Sequence, residues 1–479
     1  MTRQGENTLQ SLAEYLRSSA AVVQTVEQHM SCRHEMTALQ HALDRRREYP
    51  ILLFRRPVLH SGKDSDLPVI NNLTASRELV AAALGIADHR DSAAWFANRT
   101  AAGIDPVIVE PADAPVQQRI FDGDEVDLGL LPALVQHELE PGPYLTAAHA
   151  TTFDPDSGID NTAIQRCWIR GPRTMTWLPY PSSHNAINLR KFWSRGEPCP
   201  VAFWIGHHPA VLMGTQAKLA YPQSHWRAAG GVMGEPLRLV PSMTHGKRVM
   251  VPADAEIVIE GLAHPGQLSA DGPFGEYTGY LGPQVPAPIV EVTCMTRREE
   301  AIYHDYGSGL TDMLVPDNMA MEGKLYGMIR AVAPSLRNVH VPASGRRFHA
   351  WIQLRDPAPG EARDALAAAL AYRRVKTAIV VDEDIDLFDA EELMWALATR
   401  VQWDRDLMQL QGLTTSTLDP SLDAGAQTGA KLGVDASLPV RPGPGKPRPV
   451  APRATVPASA EKRALEVLAS MDPAGWPGA

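Results

Sequence analysis

The chain has 479 residues, 44% of them hydrophobic and 21% charged, ordinary figures for a globular protein of two or three domains. Its net charge of −10 argues against a nucleic-acid partner, because phosphate binding needs clustered Lys and Arg. A substrate carboxylate would therefore be met by individually placed arginines. The opening MTRQGENTLQ lacks the apolar core of a secretory signal, and no run approaches the ~18 apolar residues of a membrane span. Cys32, Cys167, Cys199 and Cys294 show no paired spacing, which predicts reduced thiols in a soluble, cytoplasmic protein.

In chain order, residues 8–48 read mainly as helix, followed by the apolar strand ILLF at 51–54. His29, Cys32, His34 and His41 invite a metal reading. On a helix His34 and His41 would lie two turns, about 10 Å, apart, so one ion cannot take both. From 140 to 300 short strands alternate with Pro and Gly turns. AIQRCWI (163–169), RGPR and TMTWLPY (174–180) form a predicted hairpin. AEIVIEG (255–261) and IVEVTCM (289–295) alternate, the second with Val290, Val292 and Cys294 on one face. These features predict an antiparallel sheet or barrel-like domain.

Beyond 312 the pattern turns helical, with Met321, Leu325, Met328, Ile329 and Val332 at helical spacing and Pro334 as the stop. A helix in 361–375, the strand TAIVV (377–381) and a helix from about 390 indicate a separate α/β domain. Asp389 caps the last of these, with Glu392 at the third position and Phe388 stapled against Leu393. The acidic DEDID (382–386) reads as a solvated loop before a cation site. Residues 439–457 hold seven prolines with Arg441, Lys446, Arg448, Arg453 and no acid, which predicts an extended arm, and 459–471 a short terminal helix.

The stretch DGPFGEYTGY (271–280) combines glycines, a proline, aromatics and two acids. Glycine permits positive φ and proline fixes φ, so the loop is preorganised, with Tyr277 and Tyr280 available as packed walls. A hairpin turn with solvated acids is the plain reading. The sharper one is a Glu276 lifted toward an apolar pocket, where it can deliver a proton. Upstream, NTAIQR (161–166) brings Arg166 onto a strand, where a buried guanidinium needs a carboxylate; Asp271 and Glu276 are the candidates. His184, in SSHNA, and His225, in SHWRAAGG, taken singly, read as structural. His207 and His208 read as strand or turn histidines facing opposite sides.

The order NxxxxR, a histidine eighteen residues later, GPFGEYTG, and then VDEDID with MWALATRV resembles the UbiD family of prenylated-FMN-dependent decarboxylases over about residues 110–435. The resemblance implies an α/β (α+β) fold: an N-terminal α/β region (1–108), a prenylated-FMN-binding split β-barrel-like domain (109–311), a linking helix (312–334), a C-terminal α/β oligomerisation domain (335–436), then the Pro-rich arm and terminal helix (437–479). It also implies a homodimer or higher homo-oligomer, and a flavin prenyltransferase as supplier of the cofactor.

Carried onto this sequence, the family's proton donor falls on Glu276 and its substrate- and flavin-facing arginine on Arg166. Asp271 stands where the family usually has glutamate, a side chain longer by one C–C bond of about 1.5 Å. Asn161 and His184 match ligands of the Mn²⁺ or Mg²⁺, with K⁺ as a further ion, that grips the cofactor phosphate. His225 occupies the third metal position, where the family has glutamate; a neutral imidazole favours softer ions than Mg²⁺. Ile164 and Lys431 are implied as further cofactor contacts. The implied reaction is a reversible, non-oxidative decarboxylation of an α,β-unsaturated or (hetero)aromatic acid, in which the flavin absorbs the electrons as CO₂ leaves and Glu276 protonates the product. Two other readings stand beside it: a different flavin or metal hydrolase using the same acids, and a non-catalytic binding or assembly subunit.

Overall fold

The computed structural model describes residues 11–19, 22–423, 425–438 and 453–471. The chain divides into two units, Met1–Ala436 and Ser437–Ala479.

The first unit opens with the helix Leu12–Ser18, the strand Val23–Ser31, the helix Glu35–Arg46 and the strand Ile51–Val58. The expectation of a mainly helical 8–48 is therefore corrected at 23–31. Val23, Thr25 and Val26 are β-branched, and this strand runs parallel to Ile51–Val58 in the register Val23↔Ile51 to Ser31↔Val58. It is the edge of a four-stranded sheet, and its mostly exposed side chains leave no alternation to read in the sequence. His34 lies before the Glu35–Arg46 helix as its cap, not on the same helical face as His41.

The centre is a nine-stranded sheet in the order Tyr144–Leu145, Cys167–Gly171, Thr174–Trp177, Val285–Arg297, Ile257–Asp271, Cys199–Ile205, His149–Phe153, Asp160–Ile164, with Arg119–Asp122 added on Val285–Arg297. All its pairings are antiparallel. The predicted hairpin is present as Cys167–Gly171 with Thr174–Trp177. Val290 and Val292 share a buried face as expected, but Cys294 does not join them: a register shift at Thr293 sets Cys294 opposite Glu260, on the other face, and brings Met295 into the apolar cluster instead.

Strands at opposite ends of this order are neighbours in sequence. Asp160–Ile164, at one end, leads through only Gln165 and Arg166 into Cys167–Gly171, next to the other end. The sheet is thus curled into a half-barrel whose seam is crossed by a two-residue link. The Gln165 N–H donates to Ala148 O at 3.1 Å and the Leu178 N–H to Arg166 O at 3.3 Å, which fixes the link on both sides.

The helix Thr311–Arg330 follows, burying Met321, Leu325 and Ile329. It ends at Arg330, before Pro334, so Val332 lies beyond it and is exposed. A five-stranded sheet comes next, ordered Leu336–His340, His349–Leu354, Thr377–Asp382, Thr428–Asp435, Leu407–Thr414. Its three inner strands are parallel and its two edge pairings antiparallel. Burial of Ala378 to Val381 explains the unbroken apolar run in the sequence. The Asp389 side chain accepts from the N–H groups of Glu391 and Glu392, and Phe388 packs in one apolar cluster with Leu393. Glu392 accepts from Asp386 N–H at 2.8 Å, outside the capping-box geometry. In the acidic loop, Glu383, Asp384 and Asp386 pair with Arg355, Arg400 and Arg90.

All four cysteines are buried and unbridged. No helix among the described residues is long and apolar enough to cross a membrane. In the second unit the described feature is the helix Ala458–Ser470, with Leu465, Val467 and Leu468 exposed. Residues 439–452, most of the expected proline-rich arm, lie outside the described residues.

Candidate active site

The seam link delivers Arg166 to the mouth of the half-barrel, where its side chain is 9% exposed. A guanidinium taken this far from water needs anionic partners on more than one side. Its Nε donates to Asp271 Oδ1 at 2.8 Å and its Nη1 to Glu276 Oε1, and its plane lies over the Phe274 ring at 4.8 Å. Asp271 closes the long strand Ile257–Asp271 and is fully buried, and its other oxygen accepts from Thr176 Oγ1 at 2.6 Å. Tyr180 OH donates to Glu276 Oε1 at 3.4 Å. One cation thus lies between two acids, Asp271 at the end of a central-sheet strand and Glu276 just after the short Phe274–Gly275 strand of a separate two-stranded pair.

The loop between those acids is held at every turn. Gly272, at φ +97°, donates its N–H to Tyr144 OH at 3.0 Å. Phe274–Gly275 pairs with Leu281–Gly282, and the Glu276 N–H donates to Tyr280 O at 2.9 Å. Gly275 N–H donates at 3.1 Å to Glu140, whose carboxylate also holds the His137 ring at 2.7 Å. Tyr277 is buried and bonds Ser416 Oγ at 2.6 Å. Tyr280 is 65% exposed, so only the first of the two expected aromatic walls is packed: Tyr280 stands at the outer end of the turn.

Burial drives the Glu276 carboxyl above its ordinary value, opposed by the Arg166 and Arg347 cations and the Tyr180 hydroxyl. Burial works against the Arg166 charge, but Glu276 and Asp271 outweigh it and hold the guanidinium firmly protonated. Burial also pushes the Tyr180 hydroxyl well up, with Glu276 adding to it, so Tyr180 is a neutral donor.

On the adjoining strand Asp160–Ile164, Asn161 is buried and donates Nδ2–H to Asn185 Oδ1 at 2.6 Å, which leaves its carbonyl oxygen free. His184 opens the helix His184–Ser194 and His225 opens the helix His225–Met233, capped by Ser183 and Ser224. The two imidazoles face each other at 6.0 Å between ring centroids. Burial, the His184 ring and Lys218 push His225 down to about 3, and burial also lowers His184. Both imidazoles are thus held neutral, at the positive ends of helices. His225 Nδ1 is buried without a hydrogen-bond partner, the kind of orphaned atom an ion would satisfy. The set of two imidazoles and an amide oxygen fits a divalent ion of intermediate softness. No group of three or more His, Cys, Asp or Glu side chains is placed to hold a metal among the described residues, so an ion here would need the amide of Asn161 as well.

Asp160 escaped the sequence reading. Its carboxylate accepts from His225 N–H and Trp226 N–H at 2.7 and 3.1 Å and from Ser224 Oγ, and burial raises it to about 6. Asn185 was missed as well; its amide bonds Thr152, Gln165 and Ala150 and so ties Asn161 to the seam. Neither has a local signal beyond being a polar residue beside one already singled out. Ile164, half-buried, ends its strand two residues before Arg166. Lys431 is buried, its ammonium donating to the carbonyls of Leu370, Tyr372 and Arg373, which ties down the segment carrying Arg373 and Arg374. Burial lowers it to about 8. His207 and His208 are, as read, turn histidines: both are buried after Cys199–Ile205, the His207 ring against Trp204 and the His208 ring against Tyr15, and His208 caps the helix Pro209–Gly214.

Three family models match this chain. They describe the N-terminal, Rift-related and C-terminal domains of 3-octaprenyl-4-hydroxybenzoate carboxy-lyase, at residues 18–96, 107–310 and 318–436. The chain belongs to the UbiD family. It is 31% identical over 392 residues to the anhydromevalonate phosphate decarboxylase of Methanothermobacter thermautotrophicus, covering 80% of this chain and 88% of that enzyme. The UbiD-class enzyme HmfF from Pelotomaculum thermopropionicum, solved with FMN, superposes with a TM-score of 0.83 at 33% identity, covering 92% and 96% of the two chains. An evolved dimeric form of HmfF with prFMN gives the same TM-score and identity over 94% and 98%. The 3,4-dihydroxybenzoic acid decarboxylase of Enterobacter cloacae shares the fold, with a TM-score of 0.80 at 23% identity over 94% and 99%. This UbiD protein is accordingly a carboxy-lyase with the family's mixed helix-and-sheet fold and central half-barrel.

A side chain at Gly275 has no room: a Cβ there would stand 2.2 Å from the His137 ring, which Glu140 holds in place. Gly275→Ala is expected to displace Glu276 while leaving the sheet folded. Decarboxylation rate should fall by about 10²-fold, as for a reacting group moved by ~1 Å, with an unchanged far-UV circular dichroism spectrum; wild-type turnover would show that the loop tolerates the shift.

Proposed function

We propose that the protein is a reversible, non-oxidative decarboxylase of an α,β-unsaturated or (hetero)aromatic carboxylic acid that works with prenylated FMN and a divalent ion. The observation that carries this reading is the buried Arg166 between Asp271 and Glu276 at the barrel seam. Its support is family membership together with the FMN and prFMN bound by the HmfF neighbours. The flavin, when bound, supplies the electron sink that decarboxylation needs.

The chain's own residues then have separable tasks. Asn161, His184 and His225 would hold the ion and, through it, the cofactor phosphate, helped by two converging helix N-termini. Ile164 and Lys431 would bound the cofactor, Lys431 by fixing the 370–373 carbonyls. Arg166 orients the substrate carboxylate, and Asp271, paired with both Nε and Nη2, fixes the plane of the guanidinium while Nη1 meets Glu276. Glu276 carries the proton that replaces CO₂ on the product carbon. Cytoplasmic residence, a partner flavin prenyltransferase and a homodimer or larger assembly complete the proposal.

Glu276 must be protonated to act, and its value is raised by burial. Activity should hold below that value and fall as pH rises through it. Glu276→Gln keeps the shape but has no transferable proton. Turnover should drop by at least about 10²-fold, with flavin still bound and the alkaline limb of the pH profile gone. Near-wild-type turnover of the variant would remove Glu276 from the chemistry.

His225→Glu returns a negative charge to the ion site. Metal analysis of the variant should show a preference moved toward Mg²⁺; an unchanged metal content places His225 outside the ion's shell. For the assembly, light scattering of the full chain should report a dimer or larger. A monomer at micromolar concentration contradicts that part of the proposal.

A further inference from the structure

Beside the acid network lies a second charged cluster that the reaction as proposed does not use. Asp317, in the helix Thr311–Arg330, is ion-paired with Lys218 Nζ, with Arg347 Nε at 3.0 Å and with Arg374 Nη1 at 2.5 Å. Burial opposes the Asp317 charge, but Arg347, Lys218 and Arg374 prevail and hold the carboxyl far below its ordinary range, so it is ionised. Three cations therefore share one carboxylate, an excess of two positive charges. The side chains are largely withdrawn from water: 7% exposed for Arg347, 21% for Lys218 and 24% for Arg374. An uncompensated excess in such a place is costly unless an anion completes it.

The remaining neighbours do not complete it. Arg347 lies over the Tyr277 ring at 4.6 Å and Arg374 at 6.0 Å. Arg347 Nη2 donates to the Met313 carbonyl at 3.1 Å, a neutral acceptor; the other groups that act on the two arginines are tyrosines, a further cation in Arg373, and Glu276, which is already engaged by Arg166. Arg347 Nε, although close to Asp317, is a buried nitrogen without a hydrogen-bond acceptor. Tyr277 directly follows Glu276, and Arg347 lies close enough to Glu276 for the two charges to act on each other, so the cluster borders the acid network. In a chain of net charge −10 such placed cations are the means of attracting an anion.

We infer that Arg347 and Arg374, backed by Lys218, receive a second oxyanion of the substrate, a carboxylate or a phosphate at the end remote from the carboxylate that leaves. Planar guanidinium groups suit both acceptors. The inference rests on the proposed decarboxylase reading, since it assigns the far end of that substrate. It makes the natural substrate at least dianionic.

The test is binding to the flavin-loaded protein of saturated acids, which cannot decarboxylate. Calorimetry would compare linear monocarboxylates of about four to eight carbons with the dicarboxylates and phosphonocarboxylates of equal length. One dianionic class is expected to bind about tenfold or more tightly at some length, as charged hydrogen bonds allow; which class does so separates carboxylate from phosphate. Arg374→Ala and Arg347→Ala should each abolish that preference and leave monocarboxylate affinity within about twofold, while Arg374→Lys, the milder change, keeps part of it. No dianion preference at any length overturns the inference, as does a preference that survives in all variants. A loss of discrimination between FMN and riboflavin in Arg374→Lys also overturns it, because the cluster would then serve the cofactor phosphate. Failure of the protein to decarboxylate any unsaturated acid would count against the function proposed above and is read in a separate assay.

Discussion

The site depends on a guanidinium taken out of water. Arg166 is carried inward by a two-residue link in the central sheet, and its charge is tolerable only because Asp271 and Glu276 converge on it. Removing either partner of such a buried pair costs about 3–5 kcal/mol in other proteins, because the survivor is left charged and alone. This demand accounts for the build of the connecting loop. Two acids five residues apart reach one cation only if the chain between them doubles back, and Gly272, the Phe274–Gly275 pairing and the Glu140 carboxylate enforce that reversal.

The same burial sets the protonation states around the site. It raises Glu276 toward neutrality while the cations draw it back, a balance consistent with the proton-donor role proposed for it. It lowers His184 and His225, where the helix N-termini act in the same sense. The Glu276 carboxyl and the two imidazoles are thus both shifted toward neutrality by one physical cause acting on opposite charge types.

What could be read in the sequence follows from the range of the forces involved. Strands buried on one face announce themselves by alternation, as at Val290 and Val292, until a bulge such as the one at Thr293 shifts the phase and turns Cys294 to the other face, and the Asp389 cap by its local grammar. The site loop was legible because glycine, proline and acid all lie within ten residues. Val23–Ser31 was not, because an edge strand with little burial carries no period. The exposure of Tyr280 depends on which end of a turn meets solvent, and no spacing encodes that. Asp317 and its cations come from four distant segments, so their meeting belongs to the fold alone. Lys431 was found by position, but its attachment to three carbonyls needed coordinates.

The two-residue seam also bears on how such a chain can diverge. Successive residues of an extended segment point to opposite faces, so one residue gained or lost between Ile164 and Cys167 would turn the guanidinium away from both acids. No side-chain adjustment recovers a half-turn of the backbone. Length at this link is therefore under stricter selection than identity along most of the chain. Segments such as 370–374, tied from behind by an ammonium on their carbonyls, can exchange side chains without moving their backbone. Drift toward new substrates in this lineage should accumulate there, with the seam kept at a fixed residue count.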